Sequence, residues 1–249
     1  MASPTPNLVV HHLQIGQGER IPFLLEELAL PYTIKLYKRA PLLSPPELKA
    51  LHPMGASPVL QDLTTTPETP LLLAESGAIV EYLLNKYGNG SLSLPPSHAN
   101  YADYLYWLHF SNGNLQPTIF RRATVKGLVP DLDDKRYKMA DGRVQTCLQQ
   151  FNERVASNTW LAGDEFTAAD VMSMWCFTTM RQFEPFDLTE YPGILGWLKR
   201  VSERPAYKAA MAKGDPDLDI EAGISAKGPS PFGAFAAARA EASPKREKL

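Results

Sequence analysis

His52-Pro53-Met54-Gly55-Ala56-Ser57-Pro58-Val59-Leu60 and, shortly after it, Leu73-Ala74-Glu75-Ser76-Gly77-Ala78-Ile79 are the stretches on which the fold of this chain turns. Ser57-Pro58-Val59-Leu60 reads as a turn feeding a strand. A proline at a strand's first position leaves the N–H and C=O of the preceding residue, Ser57, free to pair with an extended, peptide-like ligand. Glu75-Ser76 precedes a run in which Ile79, Val80, Leu83 and Leu84 carry the apolar spacing of a helix. Ser76 then lies at the helix N-terminus, where free amides, the positive dipole end and a hydroxyl favour an anion. Glu75 beside it suits an ammonium. In isolation Glu-Ser is an ordinary helix cap next to a solvated carboxylate; downstream of the proline turn it reads as one end of a ligand site.

Working outward, the chain predicts strand (Leu8–His12), helix (Arg20–Leu28), strand (Tyr32–Tyr37), short helix (Pro45–Leu51), strands (Val59–Asp62 and Leu71–Leu73) and helix (Gly77–Lys86). Alternating strands and helices imply a βαβ unit in a mixed sheet, and the βαβ–ββα order is that of a thioredoxin-like domain. Gly, Ser and Pro then mark a linker. Beyond it Tyr101–Phe110, Lys138–Ala156, Ala168–Arg181 and Gly193–Glu203 all carry three- and four-residue apolar spacing. The expectation is an α+β protein: tail 1–7, thioredoxin-like domain 8–87, linker 88–99, all-helical domain 100–213 and an extension 214–249 of low order, with a short helix at Pro231–Ala242. Thr167 and Asp170 predict a capping box with Asp in place of Glu, a structural motif.

Of 249 residues, 44% are hydrophobic, enough for real cores, and the formal charge is −2. No basic patch points to nucleic acid. No apolar run approaches the roughly 20 residues of a membrane span, and Met1-Ala2-Ser3-Pro4-Thr5-Pro6 lacks a basic start or apolar core, so a cytoplasmic protein without membrane association is expected. Cys147 and Cys176 are too few for a disulfide framework and lack metal-site spacing; both read as core thiols, and no metal is expected. Glu247-Lys248-Leu249 has a long acid where the peroxisomal address has a small residue, and is discounted.

The Ser57-Pro58 turn, the Glu75-Ser76 helix start, the opening His11-His12-Leu13 and Trp107-Leu108-His109-Phe110-Ser111-Asn112-Gly113-Asn114-Leu115-Gln116-Pro117 together resemble the glutathione transferases, particularly fungal and bacterial members, over nearly all of residues 8–212. The resemblance implies glutathione as co-substrate, a cis Ser57-Pro58 bond, main-chain contacts from Ser57, and a γ-glutamyl group held by Glu75 and Ser76. It also implies a homodimer. Such enzymes place a Ser or Tyr hydroxyl against the sulfur just after the first strand, and the matching position here is Gly16. The amides of Gln17 and Gly18, opening the first helix, are expected to replace it, with the Gln17 carboxamide beside them; the alternative is a Gly-rich turn with no chemical role. Basic residues that often hold the glycine carboxylate are replaced by Leu43 and Ala56. Lys38, Arg39 and His52 are the remaining candidates, against surface solvation for the first two and a cap or core hydrogen bond for His52.

In this architecture the cleft between domains takes the electrophile. His109, Asn112, Gly113, Gln116 and Phe120 share one face by helical spacing and are expected to line it, with helix packing as the alternative for Phe120 and a structural hydrogen bond for His109. The expected function is addition of the glutathione thiolate to a small, largely apolar electrophile, in detoxification or fungal secondary metabolism. The alternatives are a glutathione-dependent isomerase or lyase, and a non-catalytic binding or regulatory module.

Overall fold

The computed structural model describes residues 5–40, 42–66 and 68–233. Strands β1 (Leu8–Leu13), β2 (Thr33–Tyr37), β3 (Val59–Asp62) and β4 (Leu71–Ala74) form a mixed sheet in the order β2-β1-β3-β4. β1 runs parallel to β2, with Val9 opposite Thr33, and antiparallel to β3, with Val10 opposite Leu60; β3 and β4 are antiparallel. The parallel pair requires a crossover, and α1 (Arg20–Glu27) supplies it, entered through a 3-10 turn at Gln17–Glu19. α2 (Pro46–Lys49) leads to the Ser57-Pro58 turn, whose peptide is cis, and α3 (Ser76–Tyr87) follows β4. Central β1 is covered on both faces, so even its histidines are buried: His11 meets Tyr37 Oη at 2.9 Å and His12 meets Asp215 at 2.7 Å.

The second half is helical: α4 (Tyr101–Phe110), α5 (Gln116–Leu128), α6 (Lys135–Ser157), α7 (Ala168–Phe177), α8 (Pro192–Ser202), α9 (Pro205–Gly214) and α10 (Ile220–Ile224). Phe151 anchors its core, with ring centroids 4.5 Å from Phe177, 5.0 Å from Trp197 and 5.6 Å from Trp107. The Thr167/Asp170 capping box is present. Asp170 also accepts from Leu161 N–H at 3.1 Å and Trp197 Nε1 at 2.8 Å, so one buried carboxylate ties the start of α7 to α8. α9 packs on α1 through Phe23 against Tyr207 (5.1 Å) and an Arg204–Glu27 pair, fixing the crossover helix against the helical half.

Three expectations need correction. Between α4 and α5 the chain makes a π-helical turn, Ser111–Leu115, and α5 and α9 were not anticipated. The Ala168–Arg181 helix stops at Phe177 and continues as a 3-10 turn, Thr179–Gln182. The segment after Gly214 is ordered through residue 233 and not of low order: the buried Arg181 guanidinium donates to the carbonyls of Phe186, Ser225 and Ala226 at 2.6–3.1 Å, gathering the extension around itself. The helix expected at Pro231–Ala242 lies largely outside the described residues, as does the discounted C-terminal tripeptide.

Candidate functional site

The first helix opens on Gly16, whose extended backbone (φ −167°) turns the chain out of β1. The amides of Gln17 and Gly18 come first in the helix and have no acceptor among the described residues, as expected of a helix's opening N–H groups. Gly18 has no room for a side chain: a Cβ would lie 2.5 Å from His12 Nδ1 and 3.0 Å from Ser57 Oγ. The Gln17 carboxamide is held on three sides, donating to Ser57 C=O at 3.3 Å and accepting from Gln116 Nε2 at 3.1 Å and Arg20 Nη1 at 3.3 Å.

Arg20 is a site residue that the sequence alone does not reveal. It is 1% exposed at the base of the site, and its guanidinium donates to Ser76 Oγ (3.3 Å), Asn112 Oδ1 (2.8 Å) and Ser111 Oγ (2.7 Å), with Trp175 5.3 Å from its carbon. All these partners are neutral, and among the described residues Arg20 forms no ion pair. Burial lowers its pKa, yet a guanidinium stays charged. The neighbouring Glu19 does not neutralise it: burial pushes that carboxyl up to about 8, so it carries its proton at pH 7, held by Thr178 and Thr179. The Arg20 guanidinium thus lies at the base of the site with only neutral groups as its direct hydrogen-bond partners among the described residues.

Ser76 Oγ accepts from both Arg20 Nη1 and Asn112 Nδ2 (3.1 Å), which leaves its hydroxyl proton for an incoming acceptor. Glu75, before it, is exposed and held at φ +70°, a conformation that L-residues adopt at a cost of about 1–3 kcal/mol and that turns its side chain out of the helix. Ser57 spends its hydroxyl within the fold, accepting from Leu13 N–H at 3.0 Å and so prolonging the β1–β3 pairing, while Pro58 is buried behind it.

Between the domains lies a cleft of about 290 Å³, lined by Leu13, Gly16, Gln17, Arg39, Ser57, Gln116, Phe120, Trp175 and Phe183. Of the expected residues, Gln17, Arg39, Ser57, Gln116 and Phe120 line this cleft; Ser76 and Asn112 connect to it through Arg20, which also reaches Gln17, while Gly18 lies against Ser57 and Pro58 is buried behind it. Gln116 Oε1 and Trp175 Nε1, polar atoms of lining side chains, are buried without a hydrogen-bond partner among the described residues. Arg39 reaches the cleft but donates to Ile15 C=O (2.6 Å) and Leu42 C=O (2.8 Å) and stacks on Phe183 at 5.0 Å.

Three expected residues stand apart. Lys38 is exposed on the strand end and does not line the cleft, and His52 Nδ1 accepts from Met54 N–H at 3.3 Å, capping the turn after α2. His109 is 65% exposed, faces Glu81 at 3.9 Å and lines a different, larger cavity of about 600 Å³ between α3 and α4. The reason is the π-helical turn: an extra residue in one turn rotates the rest of the helix by about 100°, so His109 leaves the face that carries Gln116 and Phe120.

Residues 17–86 match the model of the glutathione S-transferase N-terminal domain, and residues 117–205 that of the C-terminal domain. Glutathione S-transferase 3 of Schizosaccharomyces pombe is 34% identical over 225 residues, covering 83% of this chain and 87% of its own length. A glutathione S-transferase structure from Actinobacillus pleuropneumoniae superimposes with a TM-score of 0.75 at 28% identity, covering 86% of this chain and 95% of that one. A glutathione transferase homologue from Lodderomyces elongisporus, crystallised with two GSH per subunit, shares the fold (TM-score 0.66, 20% identity, covering 82% of this chain and 97% of that one). The chain belongs to the glutathione S-transferase family, as a transferase-like enzyme with the family's thioredoxin-like and helical halves.

Proposed function

We propose that this enzyme binds glutathione across Ser57, Glu75 and Ser76 and adds its thiolate to a small, largely apolar electrophile seated against Phe120, Trp175 and Phe183. One observation carries the reading: Ser76 Oγ is fed by two N–H donors, one from the buried Arg20 guanidinium, and has its own proton left to donate. That arrangement suits the γ-glutamyl carboxylate, with Glu75 for the ammonium. The sulfur then falls at the Gln17 and Gly18 amides, where two free N–H groups and the helix dipole replace the absent hydroxyl at Gly16. Thiolate attack on the electrophilic carbon forms the carbon–sulfur bond; in a substitution the displaced pair departs with the leaving group, and in an addition the substrate's π pair shifts onto its electron-withdrawing group and is then protonated from water. A free thiol of pKa about 8.5 is roughly 3% ionised at pH 7, so lowering it is the chemistry the turn supplies.

The unpartnered Gln116 Oε1 and Trp175 Nε1 favour an electrophile that carries a polar group on an apolar body. Of Lys38, Arg39 and His52, only Arg39 lines the cleft, which makes it the cation for the glycine end. A cytoplasmic homodimer acting in detoxification or in fungal secondary metabolism completes the proposal. Calorimetric titration with glutathione and with S-hexylglutathione tests it: binding of both is expected, tighter for the hexyl derivative because its chain enters the apolar cleft. Failure of both to bind would remove the reading.

A further inference from the structure

Asp215 follows the last residue of α9 and reaches across the domain boundary to the turn after β1. Its carboxylate is buried. Oδ1 accepts the Ile15 N–H at 2.7 Å and Oδ2 accepts from His12 Nε2 at 2.7 Å. Beside it, Gln14 Nε2 donates to Gly214 C=O at 3.2 Å, and Gly214 packs against the His12 ring. Asp215 is itself fixed, since its N–H donates to Met211 C=O at 2.9 Å and its C=O accepts from Leu218 N–H at 3.0 Å.

The backbone this carboxylate holds is strained. Ile15 has φ +56°, the left-handed region, where a β-branched side chain costs about 1–2 kcal/mol or more. Such a conformation persists only where its surroundings over-determine it. Here the Ile15 N–H is taken by Asp215 and its C=O by Arg39, one clamp on each side of the residue. The next three residues are Gly16, Gln17 and Gly18. The dihedral angles of Ile15 aim the amides of that turn.

We propose that Asp215 is a positioning residue for the glutathione sulfur: by holding Ile15 in the left-handed conformation, the end of the helical domain sets the direction of the Gln17 and Gly18 amides. The proposal rests on the reading that those amides face the sulfur. It makes the helical half part of the thiol-activating device, because the acceptor that locks the turn comes from about 200 residues away in sequence.

The test compares Asp215→Asn, Asp215→Ala and Asp215→Glu in the full chain. Asn keeps an oxygen for the Ile15 N–H and turns its NH2 to His12 Nε2, which accepts it once the imidazole proton moves to the unpartnered Nδ1, so kcat/KM with 1-chloro-2,4-dinitrobenzene stays within about threefold of wild type. Ala removes the acceptor, and Glu displaces it by one methylene while keeping the charge for His12; both lower kcat/KM at least tenfold and raise the pKa of bound glutathione. Asp215→Glu serves if Asp215→Ala does not fold. Adding Ile15→Gly, which relieves the backbone cost, restores part of the activity to the Ala and Glu variants without restoring their melting temperature. Amide hydrogen exchange at residues 15–18 in ligand-free protein reads the clamp independently of glutathione, and is expected to speed up at least tenfold in the Glu variant. Unchanged exchange and unchanged kcat/KM in folded Ala or Glu variants would overturn the proposal. Faster exchange in a protein that binds no glutathione would keep the clamp and discard the functional reading.

Discussion

Replacing Arg20 by Met removes the charge under the site while keeping an unbranched, helix-compatible side chain. Arg20 Nη1 lies 3.3 Å from Ser76 Oγ. A carboxylate accepting from that hydroxyl adds about 2.7 Å, so the ligand's charge sits within about 6 Å of the guanidinium. At an effective dielectric of about 20, Coulomb's law gives about 2.8 kcal/mol, a hundredfold in affinity. The cleft is open on one side, and screening there brings the expected loss to about 10- to 100-fold. Calorimetry with two ligands isolates the effect: glutathione, and an analogue in which hydrogen replaces the γ-glutamyl α-carboxylate. Arg20→Met is expected to weaken glutathione by that factor and the analogue by less than about threefold. Arg20→Lys keeps the charge and falls between. Because Asn112 Oδ1 loses its donor, a melting curve confirms that the variant is folded, at a cost of about 1–3 kcal/mol. Equal losses for both ligands would refute the electrostatic argument and leave Arg20 a packing residue.

The neighbouring residues carry two more expected outcomes. Glu19 holds its proton up to about pH 8 in the fold, against about 4.5 when unfolded. Between those values the folded state binds more protons than the unfolded one, so stability falls as pH rises, by at most about 5 kcal/mol. Thermal melts from pH 5 to 8.5 should show this slope and Glu19→Gln should flatten it; an unchanged slope in the variant would assign it elsewhere. Gly16→Ser returns a hydroxyl to the turn, with its Cβ 3.1 Å from Leu13 C=O and 3.2 Å from Arg39 Nη2, tight but in an ordinary backbone conformation. Lower thiol pKa brings more thiolate but weaker nucleophilicity, so kcat/KM should change by no more than about fivefold; a gain above about a hundredfold would mean that the native turn does not activate the thiol.

The strand and helix order of the first half was legible because period-2 and period-3.6 patterns are local, and the Ser57-Pro58 turn because proline acts on its immediate neighbours; Ser76 does open α3, but as its first helical residue after Glu75 and without a capping hydrogen bond. Arg20 was not legible. A basic residue at a helix start reads as solvated surface, and its burial depends on Ser111, Asn112 and Trp175, which only the tertiary fold delivers. His109 was placed on the wrong face because spacing arguments assume an unbroken α-helix, and nothing in Ser111-Asn112-Gly113-Asn114-Leu115 announces a π turn. The extension read as low order for a related reason: its Pro- and Gly-rich composition is that of a tail, while its order comes from Arg181, more than thirty residues upstream. Lys38 and Arg39 are adjacent in sequence, yet only Arg39 turns inward, where Ile15 C=O and the Phe183 ring receive it.

The proposed function requires a turn without a hydroxyl, backed by the Arg20 guanidinium and the Gln17 and Gly18 amides, to lower the pKa of the bound glutathione thiol. The most direct test is a pH titration of the thiolate ultraviolet absorbance in the complex of the wild-type enzyme with glutathione. A pKa at least one unit below the roughly 8.5 of a free thiol is expected. A value at or above that of the free thiol would contradict the proposed function.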